Sequence, residues 1–554
     1  MGNSNQLNQY RSTIGTTISS ITRTALMSLT MVGLSAFAGW GAENPVLKIG
    51  IEQRFGDEAT DTLTLKALPG DRLTLRYATT EGEATLETDS VKLQVEMKPL
   101  PQPLVEERVV FSTHRSFESA EHQAQQWRER GLEVEIANPQ RWQVWAKRDV
   151  YNTPLLRRML LDDLKSEGNT IARIETQVLR DYPQPYWIVN GYRYNRRSLE
   201  VNSANNRIEV THPGGTTRLY GGALRMQPNA YGNYTLVNNV RLETYLRGVV
   251  PHEIGPKAPP AAVEAQAILA RTYTLRNLRR FAIDDYELCA STDCQVYWGL
   301  GDASARADRA IRATEGLVAT YENELVDALY SSTTGGITAP FEDIWDGSKR
   351  PYLRATIDST SPVWDLSAQS LGNEAHLREF LNLKQGFNET GWKRFRWRYS
   401  TSLKDMTDFL NKYLGNRSHP MTGIKTISSV TITERAPSGR VLTMEVETDR
   451  GLLKITKDQI RNAFYPPIST LFYIDPVYKE DNILDGYVFV GGGFGHGVGL
   501  SQTGAYRLAE LGWSGDRIVQ FYFPGTQIQP LNDTIVFWRD PLTDGDGVNP
   551  SVEP

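Results

Sequence analysis

The sequence predicts a multidomain α+β protein: a small N-terminal β-unit, a ferredoxin-like βαββαβ unit, then a large mixed α/β domain with an insertion. Three observations predict it. At 554 residues the chain is too long for a single core, taking about 150 residues per domain. Its 40% hydrophobic and 23% charged residues are ordinary globular usage, which excludes a mainly disordered chain and a membrane bundle. The apolar pattern also changes along the chain, from strict alternation to alternating strand and helix periods. Lys+Arg 60 against Asp+Glu 65 gives a net charge of -5, without the basic excess that phosphate backbones require, so nucleic acid is not a partner. Two cysteines exclude a disulfide-dense scaffold and an all-cysteine zinc site.

Residues 1–38 carry Arg11 and Arg23, no acid, and the apolar or small stretch ALMSLTMVGLSAFA from Ala25 to Ala38. The stretch falls short of the ~20 residues that span a bilayer, and Ala36-Phe37-Ala38 offers small residues where a signal peptidase cleaves. It predicts export to the periplasm or cell wall with cleavage after Ala38; an uncleaved membrane anchor is the alternative. No cysteine follows the stretch, which excludes a lipoprotein. Removing its two arginines takes the net charge from -5 to -7.

Over 46–100, Leu63, Leu65 and Ala67, then Leu73, Leu75 and Tyr77, then Val91, Leu93 and Val95 alternate with polar residues, the period of half-buried strands. Pro69-Gly70-Asp71 and Glu81-Gly82 supply turns. The run Pro99-Leu100-Pro101-Gln102-Pro103 predicts a joint. Over 105–178, Val109–Thr113 reads as a strand, and Phe117, Ala120, Ala124 and Trp127 recur at helical spacing up to Gly131. Leu132–Ala137 and Trp142–Lys147 are strands, Thr153-Pro154 caps a second helix up to Gly168, and Thr170–Glu175 is the last strand. That order packs two helices on one face of a four-stranded antiparallel sheet. Through VVFSTHRSFESAEHQAQQWRERGLEVEI the unit resembles a SPOR domain. The resemblance implies binding of peptidoglycan glycan strands stripped of stem peptides, and a linker domain of common fold is the other reading.

After short strands over 186–245, the chemistry concentrates in ETYLRGVVPHEIGPKAPPAAVEAQAILARTYTLR (243–276), CASTDCQVYWG (289–299) and GGGFGHGVGLSQTGAYRLAELG (491–512). His252-Glu253 does not open an H-E-x-x-H zinc motif, because Pro256 occupies the second His position. The glycine-rich run lacks GK[ST], the dinucleotide G-x-G-x-x-G and the G-x-S-x-G elbow. What stands out is Glu253, expected in a strand-to-helix loop between the apolar run Leu246–Val250 and the helix opened by Pro259-Pro260. With Val250 and Ile254 beside it, desolvation raises its pKa and favours a protonated general acid. A solvated loop carboxylate is the plainer alternative.

Taken together in order, YLRGVVPHEI with EAQAILARTYTLR, CQVYWG, ATEGLVATYENELVDALYSSTTGGITAPFEDIWDGSKRPYLRATID (313–358) and GGGFGHGVGLSQTGAYRLAELGWSGDRIVQFYFPGTQI (491–528) resemble the SpoIID/LytB (stage II sporulation protein D) family. The resemblance assigns 186–535 to the family domain, with an insertion near 360–480. It implies an exported lytic transglycosylase that cleaves the MurNAc-GlcNAc bond of peptidoglycan to leave 1,6-anhydroMurNAc ends. Glu253, at the Glu of V-V-P-x-E, is then the general acid/base. The family name also covers non-catalytic amidase enhancers, which makes an amidase the alternative partner. Asp293, Asp343 and Asp358 are candidate second carboxylates, so ordinary hydrolysis stays open.

Arg271, Gln295, Tyr297, His496 and Gln502 fall in the matching blocks and are expected to hold sugar hydroxyls and acetamides, the alternative for each being a buried polar network or packed ring. Gly335-Gly336 and the 491–499 glycines read as backbone turns or close approach of chain to substrate. Cys289 and Cys294 resemble a Cys and a His that bind zinc in some family members; with Cys at the second position, a disulfide or free thiols compete with zinc. No cofactor is otherwise required. GWKRFRWRYS (391–400) in the insertion reads as polymer-contacting or as a paired edge strand, and 540–554 as a disordered acidic tail.

Overall fold

The computed structural model describes residues 44–417, 419–480, 482–539 and 547–548. The export segment expected over 1–38 lies outside the described residues, as does the tail expected over 540–554 apart from Gly547–Val548, which pairs with Trp538–Arg539. Among the described residues no helix is long and apolar enough to cross a membrane.

Helices and several sheets combine in the α+β architecture that the patterns predict. The alternating N-terminal strands do not close on themselves. Val46–Phe55, Leu73–Thr79 and Gly82–Thr88 share a seven-stranded sheet with Leu199–Ser203, Ala223–Pro228, Tyr234–Arg241 and Leu288–Cys289. Thr62–Ala67 and Ser90–His114 join Arg207–Thr211 and Thr217–Gly221 in a second sheet. The reason is the apolar face of each strand: Leu47, Leu63, Leu73 and Leu93 are wholly buried in one core with Val201, Ile208 and Leu224. Each such burial contributes about 2 kcal/mol, which an isolated set of short strands does not gather.

The joint expected at 99–103 is part of a strand, Ser90–His114, paired for most of its length with Arg173–Val189. Its prolines fall where the register slips between Pro99 and Leu104, so their missing N–H groups break no ladder bond. This ribbon leads into the βαββαβ unit. The helix Phe117–Glu129 is capped by Ser116, whose hydroxyl accepts from Ser119 N (3.3 Å), and Pro154–Ser166 by Thr153 in the same way. Phe117, Ala124, Trp127, Leu161 and Leu164 pack on Val109, Phe111 and Val144. The opposite sheet face is covered too: Val110, Ala137 and Trp145 pack against Tyr231 and Ile283, and Tyr231 Oη accepts from Asn138 N at 2.7 Å.

The large domain is organised round Pro260–Arg276, a helix buried on every side from Ala265 to Arg276. The helices Leu242–Ile254, Ala305–Ala313, Gln502–Glu510 and Gly515–Tyr522 pack on it. The inserted residues form their own cores, with the sheet Arg396–Ser402, Leu484–Gly492, Phe472–Tyr478 and the meander Ile427–Arg435, Val441–Thr448, Gly451–Thr456. Arg396–Ser402 is an edge strand whose Trp397 is buried, as is Phe395 just before it.

Candidate active site

Glu253 lies in the last turn of the helix Leu242–Ile254, not in a loop. Pro251 forfeits one intrahelical bond, but only one turn follows before Gly255, at φ 85°, ends the helix with its N–H on the Pro251 carbonyl (3.1 Å). Two side chains of the helix Gln502–Glu510 fasten that end. Gln502 Nε2 donates to the Glu253 carbonyl at 2.9 Å, and Tyr506 Oη donates to the Ile254 carbonyl. These are carbonyls that a helix terminus leaves without partners.

The Glu253 carboxylate oxygen Oε1 accepts the Val296 N–H at 2.7 Å. Tyr330 stands beside it. Burial pushes the Glu253 pKa up to about 7, and the Val296 N–H and Tyr330 offset only part of that push. A group poised there can deliver a proton near neutrality and take one back.

Val296 lies two residues beyond a loop closed by a disulfide between Cys289 and Cys294. Cys289 N donates to Cys294 Sγ at 3.0 Å and Tyr297 N to the Ala290 carbonyl at 3.1 Å. The disulfide leaves no thiolate for zinc, so the residues present do not fit the metal. Among the described residues no group of three or more His, Cys, Asp or Glu side chains is placed to hold a metal ion.

Above Glu253 lies a cavity of about 440 Å³. The βαββαβ unit contributes Arg115, Phe117, Glu118 and Trp142 to its wall, the insertion contributes Asp458 and Arg461, and Trp345 comes from the segment just before the insertion. Arg115 Nε lies 3.3 Å from Asp458, which also pairs with Arg461, and Arg280 pairs with Glu118. Although burial opposes it, Arg461 and Arg115 hold the Asp458 carboxyl below the usual carboxylate range. Asp458 and Glu118 are thus committed to arginines, and Asp293 is an exposed carboxylate on the same wall.

Of the residues expected to bind substrate, His496 and Gln502 line the cavity. Burial, reinforced by Arg461, lowers the His496 pKa to about 3, so the ring is neutral; Nδ1 accepts from Val498 N at 3.0 Å, which assigns the proton to Nε2. Arg271, Gln295 and Tyr297 are interior. Arg271 is bidentate on Glu243 (2.7 and 2.8 Å) and bonds the Leu317 carbonyl. Gln295 bonds Ala270, Thr274 and Tyr245, and Tyr297 donates to Asn238 at 2.8 Å. Of the candidate second carboxylates, Asp343 is buried on Ser438, and Asp358 on Asn388 and Tyr522, both away from the cavity. The close approach that the glycine run implies is to the chain itself: a Cβ on Gly499 would lie 2.1 Å from the Leu329 carbonyl oxygen. Arg115, Tyr330, Asp458 and Arg461 escaped the sequence reading. Tyr330 lay inside a matching block, but nothing local marks the others.

Residues 230–321 match the family model described as stage II sporulation protein. The stage II sporulation protein D of Bacillus subtilis (strain 168) is 25% identical over 310 residues, covering 53% of this chain and 75% of that protein. Over these residues the chain is similar to the stage II sporulation protein D family, through the family model over 230–321 and relatives at 25–27% identity. The segment matched by that model carries Glu253 and the disulfide loop. Residues 339–499 match a domain of unknown function (DUF8618), which supplies Trp345, Asp458, Arg461 and His496 to the same cavity. The amidase enhancer of Bacillus subtilis (strain 168) is 27% identical over 411 residues, 65% of this chain. The match covers 53% of that protein, so the chain spans about half its length. A Brachyspira hyodysenteriae protein is 26% identical over 298 residues.

Proposed function

We propose that this protein cleaves peptidoglycan glycan strands as an exported lytic transglycosylase, with Glu253 as the single acid and base. The observation that carries the reading is the Glu253 carboxyl at the base of a cavity, its pKa pushed up to about 7 by burial. As an acid it protonates the oxygen between N-acetylmuramic acid and N-acetylglucosamine, and the C1–O bond breaks. The resulting carboxylate then accepts the muramyl C6 hydroxyl proton while C6 oxygen bonds to C1, closing the 1,6-anhydro ring. The proton returns to Glu253 and no water is consumed. In this reading neutral His496 and the side-chain amide of Gln502, both on the cavity wall, hold sugar polar groups.

A second reading is favoured by the name of one relative, the amidase enhancer: a wall protein that binds glycan and stimulates a partner amidase without cutting. Mass spectrometry of glycan strands, with and without stem peptides, separates the two. Anhydromuramyl ends from wild type and none from Glu253→Gln are expected. Ordinary reducing ends would redirect the reading to hydrolysis, and intact strands with stimulation of an added amidase would establish the second reading.

A further inference from the structure

A second hollow, of about 460 Å³, lies along the helix that fastens Glu253. Residues 502, 506 and 510 recur on one face of that helix, about 6 Å apart along its axis. Gln502 faces the cavity over Glu253, while Tyr506 and Glu510 line the second hollow. The helix therefore runs from one site to the other.

The largest side chain in the hollow is Trp392, 43% exposed. It meets Tyr506 edge to face, with ring centroids 5.5 Å apart and planes at 85°. In such a pair at least one face of the indole stays uncovered by its neighbour. Thr360, Gln385 and Arg507, all exposed, stand round the rings with hydroxyl, amide and guanidinium groups. An open aromatic plate ringed by planar amides, hydroxyls and a cation suits a sugar, whose C–H face stacks while its hydroxyls and acetamide take hydrogen bonds. Tyr506 joins the two places physically, because its hydroxyl sits on the Ile254 carbonyl, next to the acid.

We propose that this hollow is a remote saccharide subsite, where Trp392 stacks on a ring of the same strand that Glu253 cuts. The proposal rests on the glycan reading of the Glu253 cavity. Trp392 comes from the 339–499 segment, so the subsite makes that segment a determinant of how long a strand the enzyme grips.

Calorimetric titration of full-length Glu253→Gln protein, which cannot cut what it binds, tests this with purified stem-peptide-free glycan strands of eight sugars and of four. With Trp392→Ala added, octasaccharide affinity is expected to fall about tenfold and tetrasaccharide affinity to change less than about twofold, while Trp392→Phe recovers most of the loss. Circular dichroism and the melting midpoint are expected to be unchanged, since the side chain is exposed. Equal octasaccharide binding with and without the indole overturns the subsite and leaves the Glu253 reading standing. An equal loss on both lengths overturns its remoteness. Failure of the parent protein to bind either length overturns the subsite and the glycan reading together.

Discussion

Glu253, half-buried, and Glu389, fully buried, are both glutamates of the large domain, yet their surroundings are opposites. Glu389 has no exposure and accepts five hydrogen bonds, from the N–H groups of Thr334, Gly335 and Gly336 and the hydroxyls of Thr334 and Ser501. Glu253 accepts the Val296 N–H, opens to a cavity, and has its pKa pushed up to about 7. Five donors replace the water that the Glu389 carboxyl gives up on burial, whereas at Glu253 the Val296 N–H and Tyr330 replace only part of it. Donor supply separates a carboxyl that ties loops together from one that faces a cavity.

The contrast is sharpest in activity. Glu253→Gln is expected to cut strand cleavage by about 10²–10⁴-fold at an unchanged melting midpoint near pH 5, read by mass spectrometry and calorimetry. Glu389→Ala strands buried donors and is expected to cost about 3–5 kcal/mol, seen as a large fall in melting midpoint, with activity per folded molecule within a few-fold of wild type. A Glu389 variant that melts normally but is inactive would break the comparison.

Stability against pH probes the same difference more finely. The folded-state pKa of Glu253 lies above its ordinary value of 4.5, so the native state holds the proton more tightly than the unfolded chain. Its stabilisation is full below pH 4.5 and is lost as pH rises towards 7. Glu253→Gln should therefore exceed wild type in stability above pH 7 by at most about 3 kcal/mol, and match it at pH 4, in denaturant titrations. The smallest effect concerns the disulfide loop that precedes Val296. Cys289→Ser with Cys294→Ser is expected to lower stability by about 2 kcal/mol and cleavage by a few-fold, as the Val296 N–H loses its fixed position.

Much of the fold was legible because it is local. Alternation in Leu63, Leu65, Leu73 and Leu75 marked strands, and Ser116 and Thr153 marked helix starts. Alternation says that a strand has a buried face and is silent on which strand covers it, which hid the pairing of 46–88 with 199–241. Pro99–Pro103 looked like a joint because proline denies a donor, yet a register slip needs none there. At the site, Glu253 was reachable through the family blocks. Those blocks also contain Arg271, Gln295 and Tyr297, since a shared fold needs its interior network as much as its site. Arg115 and Asp458 meet across more than 300 residues of chain, a contact that no spacing rule encodes.

The fastening of Glu253 by Gln502 and Tyr506 sets a schedule. Residues 242–254 leave the ribosome some 250 residues before the helix that holds their last carbonyls. Until residues 502–506 arrive, the acid rides on an unfinished helix end and the cavity lacks its far wall. A nascent chain, or one truncated before residue 502, therefore lacks the two side chains that hold the Glu253 helix end.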